Sequence, residues 1–243
     1  MINQSDVRLN RYAFQGRISK WSRLKASRIS LLLGYENIFL TQARFVDLSA
    51  ERKTDNLLSV GLAYQYKNTD SEINPAKGIE FNLEGIHTNG MNNNEVNYFK
   101  LNTHFSLFIP LNMFKKQTTL ASRLGYANNF GDYRFYQANF LSGMQQMRGL
   151  SRNRFAGESV VFGNIEFRKS FLKVKNYIMP FDFGMLLHAD IGRVYVENDS
   201  SKKWHNAIGG GFFFNILDYF ALVASYAVSD EDQVVNFGTN FYF

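Results

Sequence analysis

Apolar and polar residues alternate with a period of two through most of this chain, and no other feature constrains its fold as much. Leu58, Val60, Leu62, Tyr64 and Tyr66 interleave with Ser59, Gly61, Ala63, Gln65 and Lys67. Ile79, Phe81 and Leu83 alternate with Glu80, Asn82 and Glu84, and Phe99, Leu101, Thr103, Phe105 and Leu107 with Lys100, Asn102, His104 and Ser106. The chain closes on Val235, Phe237, Thr239, Phe241 and Phe243 set against Asn236, Gly238, Asn240 and Tyr242. Successive side chains of a strand point to opposite faces, so each segment has one apolar and one polar face. Eleven segments read as strands: 6–16, 28–40, 56–67, 78–88, 96–109, 117–127, 159–170, 181–195, 205–215, 218–228 and 233–243. Turn-rich stretches separate them, and no helix-period window or domain linker interrupts the series. A single all-β domain over residues 1–243 is expected.

Strand length chooses between the all-β architectures. These segments run to ten or more residues, beyond the ~5–6 usual in soluble sheets and near the ~9–11 that a tilted strand needs to cross a bilayer. The apolar face is rich in Phe, Leu and Tyr; the chain holds 24 Phe and 13 Tyr. The opposite face carries Glu80, Glu84, Lys100, Arg123, Glu166, Arg168 and Asp190. The core of a sandwich cannot hold so many charges, whereas a polar lumen can. The fold expected is a transmembrane, antiparallel, up-and-down β-barrel. Bacterial barrels have even strand numbers, so about twelve strands are expected. The additional one is sought before Leu57, in Arg17–Arg28 or Thr41–Arg52. Long connections follow Leu40, Thr88, Ala127 and Tyr195, and short ones follow Ile109, Leu172 and Asn215. The long set is expected outside and the short set in the periplasm, with Phe243 at the periplasmic rim. One short-side connection, Asn68 to Ala76, is longer than its companions.

Several functions drop out. With 0 Cys there is no disulfide, thiolate metal site or cysteine nucleophile. His87, His104, His188 and His205 show no metal-ligand spacing, and no Gly-x-Ser-x-Gly elbow anchors a hydrolase triad. Gly209-Gly210-Gly211 lies within a strand with no helix after it, so it is no phosphate loop. The formal charge of +6 is scattered, which points away from nucleic acid. The run Arg17, Lys20, Arg23, Lys25, Arg28 reads as a solvated turn. The expectation is a chain with no enzymatic activity, cofactor or metal. Met1 to Asp6 has neither the basic start nor the apolar stretch of a leader, so an exported chain of this sequence is expected to be a mature form.

Residues 128–158 form the longest non-periodic segment, and they contain Phe140-Leu141-Ser142-Gly143 followed by Met147-Arg148-Gly149-Leu150. This resembles the signature loop of the BamA (surface-antigen) superfamily of outer-membrane assembly proteins. Leu150 stands where the family has an aromatic residue and Ser142 where it has a glycine. Asn164-Ile165-Glu166-Phe167, Asp190-Ile191-Gly192-Arg193-Val194-Tyr195 and Ala224-Ser225-Tyr226-Ala227 resemble later family strands, and Asn74-Pro75-Ala76-Lys77-Gly78 a family turn. The resemblance spans roughly residues 56–243.

The resemblance implies a C-terminal barrel portion without periplasmic repeat domains, whose long loop folds back into the lumen. Arg148 would then meet Glu166 and Asp190, and Gly149 would let the backbone pass close to the wall. Alternation independently places Glu166 and Asp190 on the polar parity. From its loop position alone Arg148 reads as solvated; the resemblance reverses that reading. Approach of this loop is also the expected reason for the Gly209–Gly211 run. The implied function is non-catalytic insertion or translocation of proteins or lipids at the bacterial outer membrane, through a weak seam near Phe237, Gly238, Phe241 and Phe243. The partners are outer-membrane lipid and client outer-membrane proteins. Two alternatives stay open: a passive pore, and a membrane-anchoring or homodimerising barrel of a larger protein.

Overall fold

The computed structural model describes residues 7–22, 26–43, 54–91, 95–111, 118–141, 143, 146–174, 180–196, 203–216 and 219–241. The strands are β1 (Val7–Trp21), β2 (Ser27–Ala43), β3 (Thr54–Thr69), β4 (Gly78–Gly90), β5 (Asn97–Leu111), β6 (Thr118–Asp132), β7 (Asn139–Leu141), β8 (Phe155–Gly157), β9 (Ser159–Val174), β10 (Phe181–Tyr195), β11 (His205–Ile216), β12 (Phe220–Ser229) and β13 (Gln233–Gly238). Eleven of them form one antiparallel sheet in the order β1-β2-β3-β4-β5-β6-β9-β10-β11-β12-β13, and β7 pairs with β8 in a small sheet of its own.

Each of the eleven segments read from the alternation falls on a strand of this sheet, ten of them ten residues or longer and the last, β13, of six. The described part of Arg17–Arg28 holds no extra strand: it is the end of β1 and the start of β2, and 23–25 lie outside the described residues. Arg17 and Arg28 are therefore strand residues on the lumen face rather than turn residues, bonded to Glu84 and Gln65, with Arg17 still about half exposed at 46%. Of Thr41–Arg52, the first residues belong to β2 and 44–53 lie outside the described residues. Two boundaries also differ. β6 runs to Asp132, so the loop begins at 133 rather than 128, and β13 stops at Gly238. Phe243 lies outside the described residues.

The sheet has the polarity of a membrane barrel. Leu58, Leu62 and Phe237 are 54%, 63% and 72% exposed, while Glu166 and Arg168 are 0% and 2% exposed. Apolar side chains facing outward in such a belt belong against lipid tails, and charges facing inward must be paired. No helix among the described residues is long and apolar enough to cross a membrane; the strands make the crossing. β1 and β13 are the two ends of the strand order, and no pairing joins them among the described residues. Antiparallel pairing puts the connection between β6 and β9 at one end, here called the loop end, and the β3–β4 turn at the other, the turn end.

The glycine run in β11 has a local cause. A Cβ on Gly211 would lie 2.0 Å from the Ala224 carbonyl oxygen, and one on Gly209 would lie 2.6 Å from His188 Nε2. The close approach comes from β12 and His188, not from the folded loop as the sequence suggested.

Candidate functional site

The segment between β6 and β9 enters the barrel in two stages. Its outgoing limb crosses the mouth at the loop end. A short 3-10 turn, Phe135–Gln137, is closed by Arg134 N–H donating to Gln137 Oε1 at 2.8 Å. Tyr133 and Tyr136 pack on Ile38 of β2, Leu57 of β3, and Val96 and Tyr98 at the start of the neighbouring β5. There the Tyr136 hydroxyl donates to Asp55, and Arg134 Nη2 meets Glu95 Oε2 at 2.7 Å. Burial, reinforced by the bond to Asp55, pushes the Tyr136 phenol above its ordinary value, so it remains a neutral donor.

The second stage is the tip. Met147 N–H donates to Gly143 O at 3.0 Å and Leu150 N–H to Met147 O at 3.2 Å, which curls the chain into a compact turn. Leu141, Met147 and Leu150 are fully buried against Val160, Phe162 and Ala207. Leu150 thus fills its place without the aromatic ring of the family pattern. Gly149 is needed for space: a Cβ there would lie 2.5 Å from Ala207 Cβ.

The tip carries Arg148, whose side chain is 1% exposed. Its Nε and Nη2 donate to Asp190 Oδ2 and Oδ1 at 3.0 and 2.6 Å, and its backbone N–H donates to Asp190 Oδ2 at 3.0 Å. Its Nη1 donates to Glu166 Oε2. The register explains the fit. Glu166 lies opposite His188 and Asp190 opposite Asn164, so the two carboxylates are diagonal neighbours on the lumen face of β9 and β10. One planar guanidinium spans both, gripping Asp190 through two nitrogens and Glu166 through the third. Around them, Arg168 Nε donates to Glu166 Oε1 at 2.5 Å and Asn164 Nδ2 to Asp190 Oδ1 at 2.9 Å. Arg148 and Arg168 balance Glu166 and Asp190, so the burial of four charges leaves no net charge among them.

The other side of the tip is held by the last hairpin. Asn236 Nδ2 of β13 donates to Arg148 O at 3.0 Å, and Ser229 Oγ donates to Gly149 O at 2.8 Å. Ser151 N–H donates to Asp232 Oδ2 at 3.0 Å. The loop therefore bridges the β9–β10 wall and the final strand.

The residues singled out from sequence fall into two groups. Met147, Arg148, Gly149, Leu150, Glu166 and Asp190 come together. The C-terminal set does not act as one face. Phe237 points outward and Gly238 ends β13, but Phe241 turns into the lumen, 5.1 Å from the Phe213 ring and 4.1 Å from the Arg168 guanidinium. Sequence reasoning missed Asn236, Ser229, Asp232, Asp55 and Tyr136 as anchors. Asn236 carried a signal, being on the polar parity of the last strand; Tyr136 and Asp55 lie 81 residues apart and carried none. Among the described residues no cluster of His, Asp or Glu could hold a metal ion.

The family model for the Omp85 superfamily domain matches residues 2–243. No curated protein matches. A solved structure of similar fold is BamA from Haemophilus ducreyi lacking POTRA domains 1–3, with a TM-score of 0.72 and 16% identity, covering 96% of this chain and 53% of that one. This chain thus spans about half the length of that protein. An outer-membrane β-barrel whose longest loop is folded inward, matched by the family model along nearly all its length, belongs to the Omp85 superfamily.

Proposed function

We propose that this barrel assists the insertion or translocation of proteins or lipids at the outer membrane, without catalysis. The observation that carries this reading is the state of the last strand. Among the described residues β13 pairs with β12 alone, and its lumen side is tied to the loop tip through Asn236 and Arg148. Its other edge leaves N–H and C=O groups to which a client strand can add. Val235 and Phe237 on its outer face keep that edge at the depth of the lipid tails. At six residues, β13 is the shortest strand of the large sheet, so its pairing is the easiest to exchange. The short, apolar final strand also mismatches the bilayer and favours local thinning. The buried tip residues occupy the lumen, which weighs against a passive pore.

The test is reconstitution of the purified chain in liposomes, followed by addition of an unfolded outer-membrane protein. Faster folding of that client than in empty liposomes is the expected result. No gain over empty liposomes would overturn the reading.

A further inference from the structure

The lumen is crossed a second time, at the end opposite the loop. The β3–β4 turn, residues 70–77, is shaped by its own side chains. Asp70 Oδ1 accepts the N–H groups of Ala76 and Lys77 at 2.8 and 2.9 Å, and Ser71 Oγ accepts those of Ile73 and Asn74 at 3.3 and 3.2 Å. Side-chain bonds of this kind close a turn on its own backbone. This one reaches away from its own wall. Ile73 packs against Leu186, Phe213, Ala221 and Val223, which belong to β10, β11 and β12. In the strand order β5, β6 and β9 separate β4 from β10, so these contacts span the barrel rather than neighbouring strands. Arg168 Nη1 donates to Asn74 Oδ1 at 3.3 Å and to Pro75 O at 3.4 Å. Phe241 completes the packing over Phe213 and Arg168.

Arg168 is therefore shared. Its Nε holds Glu166, which holds Arg148 of the loop, while its Nη1 holds the turn. The wall formed by β1–β5 borders a cavity of about 150 Å³, lined by Arg17, Arg28, Gln65, Leu83, Glu84 and His104 among others.

We propose that the β3–β4 turn is a second stopper of the lumen, latched by Arg168 and arranged in series with the folded loop, so that releasing either one alone opens no continuous path. The inference concerns the lumen and does not rest on the insertion reading.

Planar-bilayer recordings test it with four proteins: the natural chain, Arg148→Ala, the double turn variant Ile73→Ser with Asn74→Ala, and the combination of all three substitutions. Heat-modifiable migration in gels establishes that each is folded. Only the combined variant is expected to give discrete current steps. The idea is overturned if Arg148→Ala or the turn variant alone conducts as well as the combination, or if the folded combination conducts no better than the natural chain. Docking of the turn has its own measurement, because the chain contains 0 Cys. Ile73→Cys together with Val223→Cys should form an intramolecular disulfide on oxidation, seen as a mobility shift that a reductant reverses; failure to form it overturns the docking. Client folding is measured separately, so failure here leaves the insertion reading standing.

Discussion

Two ion pairs on opposite walls of the lumen have almost the same geometry and very different surroundings. On the β1–β2 wall, Arg11 Nη2 lies 2.5 Å from Glu36 Oε1, with the side chains 53% and 13% exposed. On the β9–β10 wall, Arg148 Nη2 lies 2.6 Å from Asp190 Oδ1, with exposures of 1% and 0%. Both arginines approach their carboxylate through two nitrogens. Distance therefore does not separate them; burial does. A solvated pair is worth roughly 0–1 kcal/mol. Removing one member of a buried pair costs about 3–5 kcal/mol, because the remaining charge has lost both its water and its partner. The second wall is dry because the loop tip packs over it, and the loop stays because its arginine is paired there.

The sharpest way to break this contrast is Arg148→Ala. It should cost about 3–5 kcal/mol of loop docking. The folded band in heated gels should be lost at lower temperature, and trypsin should cut more readily at Arg152 and Arg154. An unchanged melting midpoint would mean that the buried network is no stronger than the solvated one. Asn236→Ala comes next. It leaves the Arg148 carbonyl without its amide donor and should cost about 1 kcal/mol. The effect should be confined to β13, as faster hydrogen exchange there than in β10. Arg11→Ala should change stability by less than about 1 kcal/mol, and added salt should shrink even that. A large loss here would erase the difference between the walls.

The smallest effect lies at the loop end, outside the spanning strands. Glu231 meets Lys203 Nζ at 2.7 Å and His205 Nδ1 at 2.8 Å. Burial pushes the Glu231 carboxyl up, but the bonds to Lys203 and His205 outweigh it and hold the group below its ordinary value of 4.5. The unfolded carboxyl binds its proton more readily, so the contact stabilises above pH 4.5 and fades as pH falls through the lower folded value. Proteolysis of the Lys203 region should rise on that acid side. Glu231→Gln should remove the pH dependence and leave the Arg148 network in place.

Parity made much of this molecule legible. Glu166 and Asp190 each stand on the polar parity of their own strand, and the β9–β10 register then set them as neighbours on one face. The identity of their cation was not legible from alternation. It came from the resemblance of Met147-Arg148-Gly149-Leu150 to a family loop, because a loop residue carries no period. Phe241 shows where parity misleads. Extending the alternation past Gly238 points its ring at lipid, but the strand has ended and the ring packs on Phe213 and Arg168 instead. The basic residues Arg17 and Arg28 misled in the opposite sense: clustering suggested a turn, although each sits on the lumen face of a strand.

The sequence by itself determined the strands, their two faces and the polarity that puts charge inside and Phe, Leu and Tyr outside. These are local properties, written in the pleat of the backbone. Only the tertiary structure decided what crosses the lumen: Arg148 onto Glu166 and Asp190, Tyr136 onto Asp55, and the 70–77 turn onto Arg168. Those contacts join residues 18 to 94 positions apart, and they form only once the curved sheet brings loop, turn and wall within reach of a side chain.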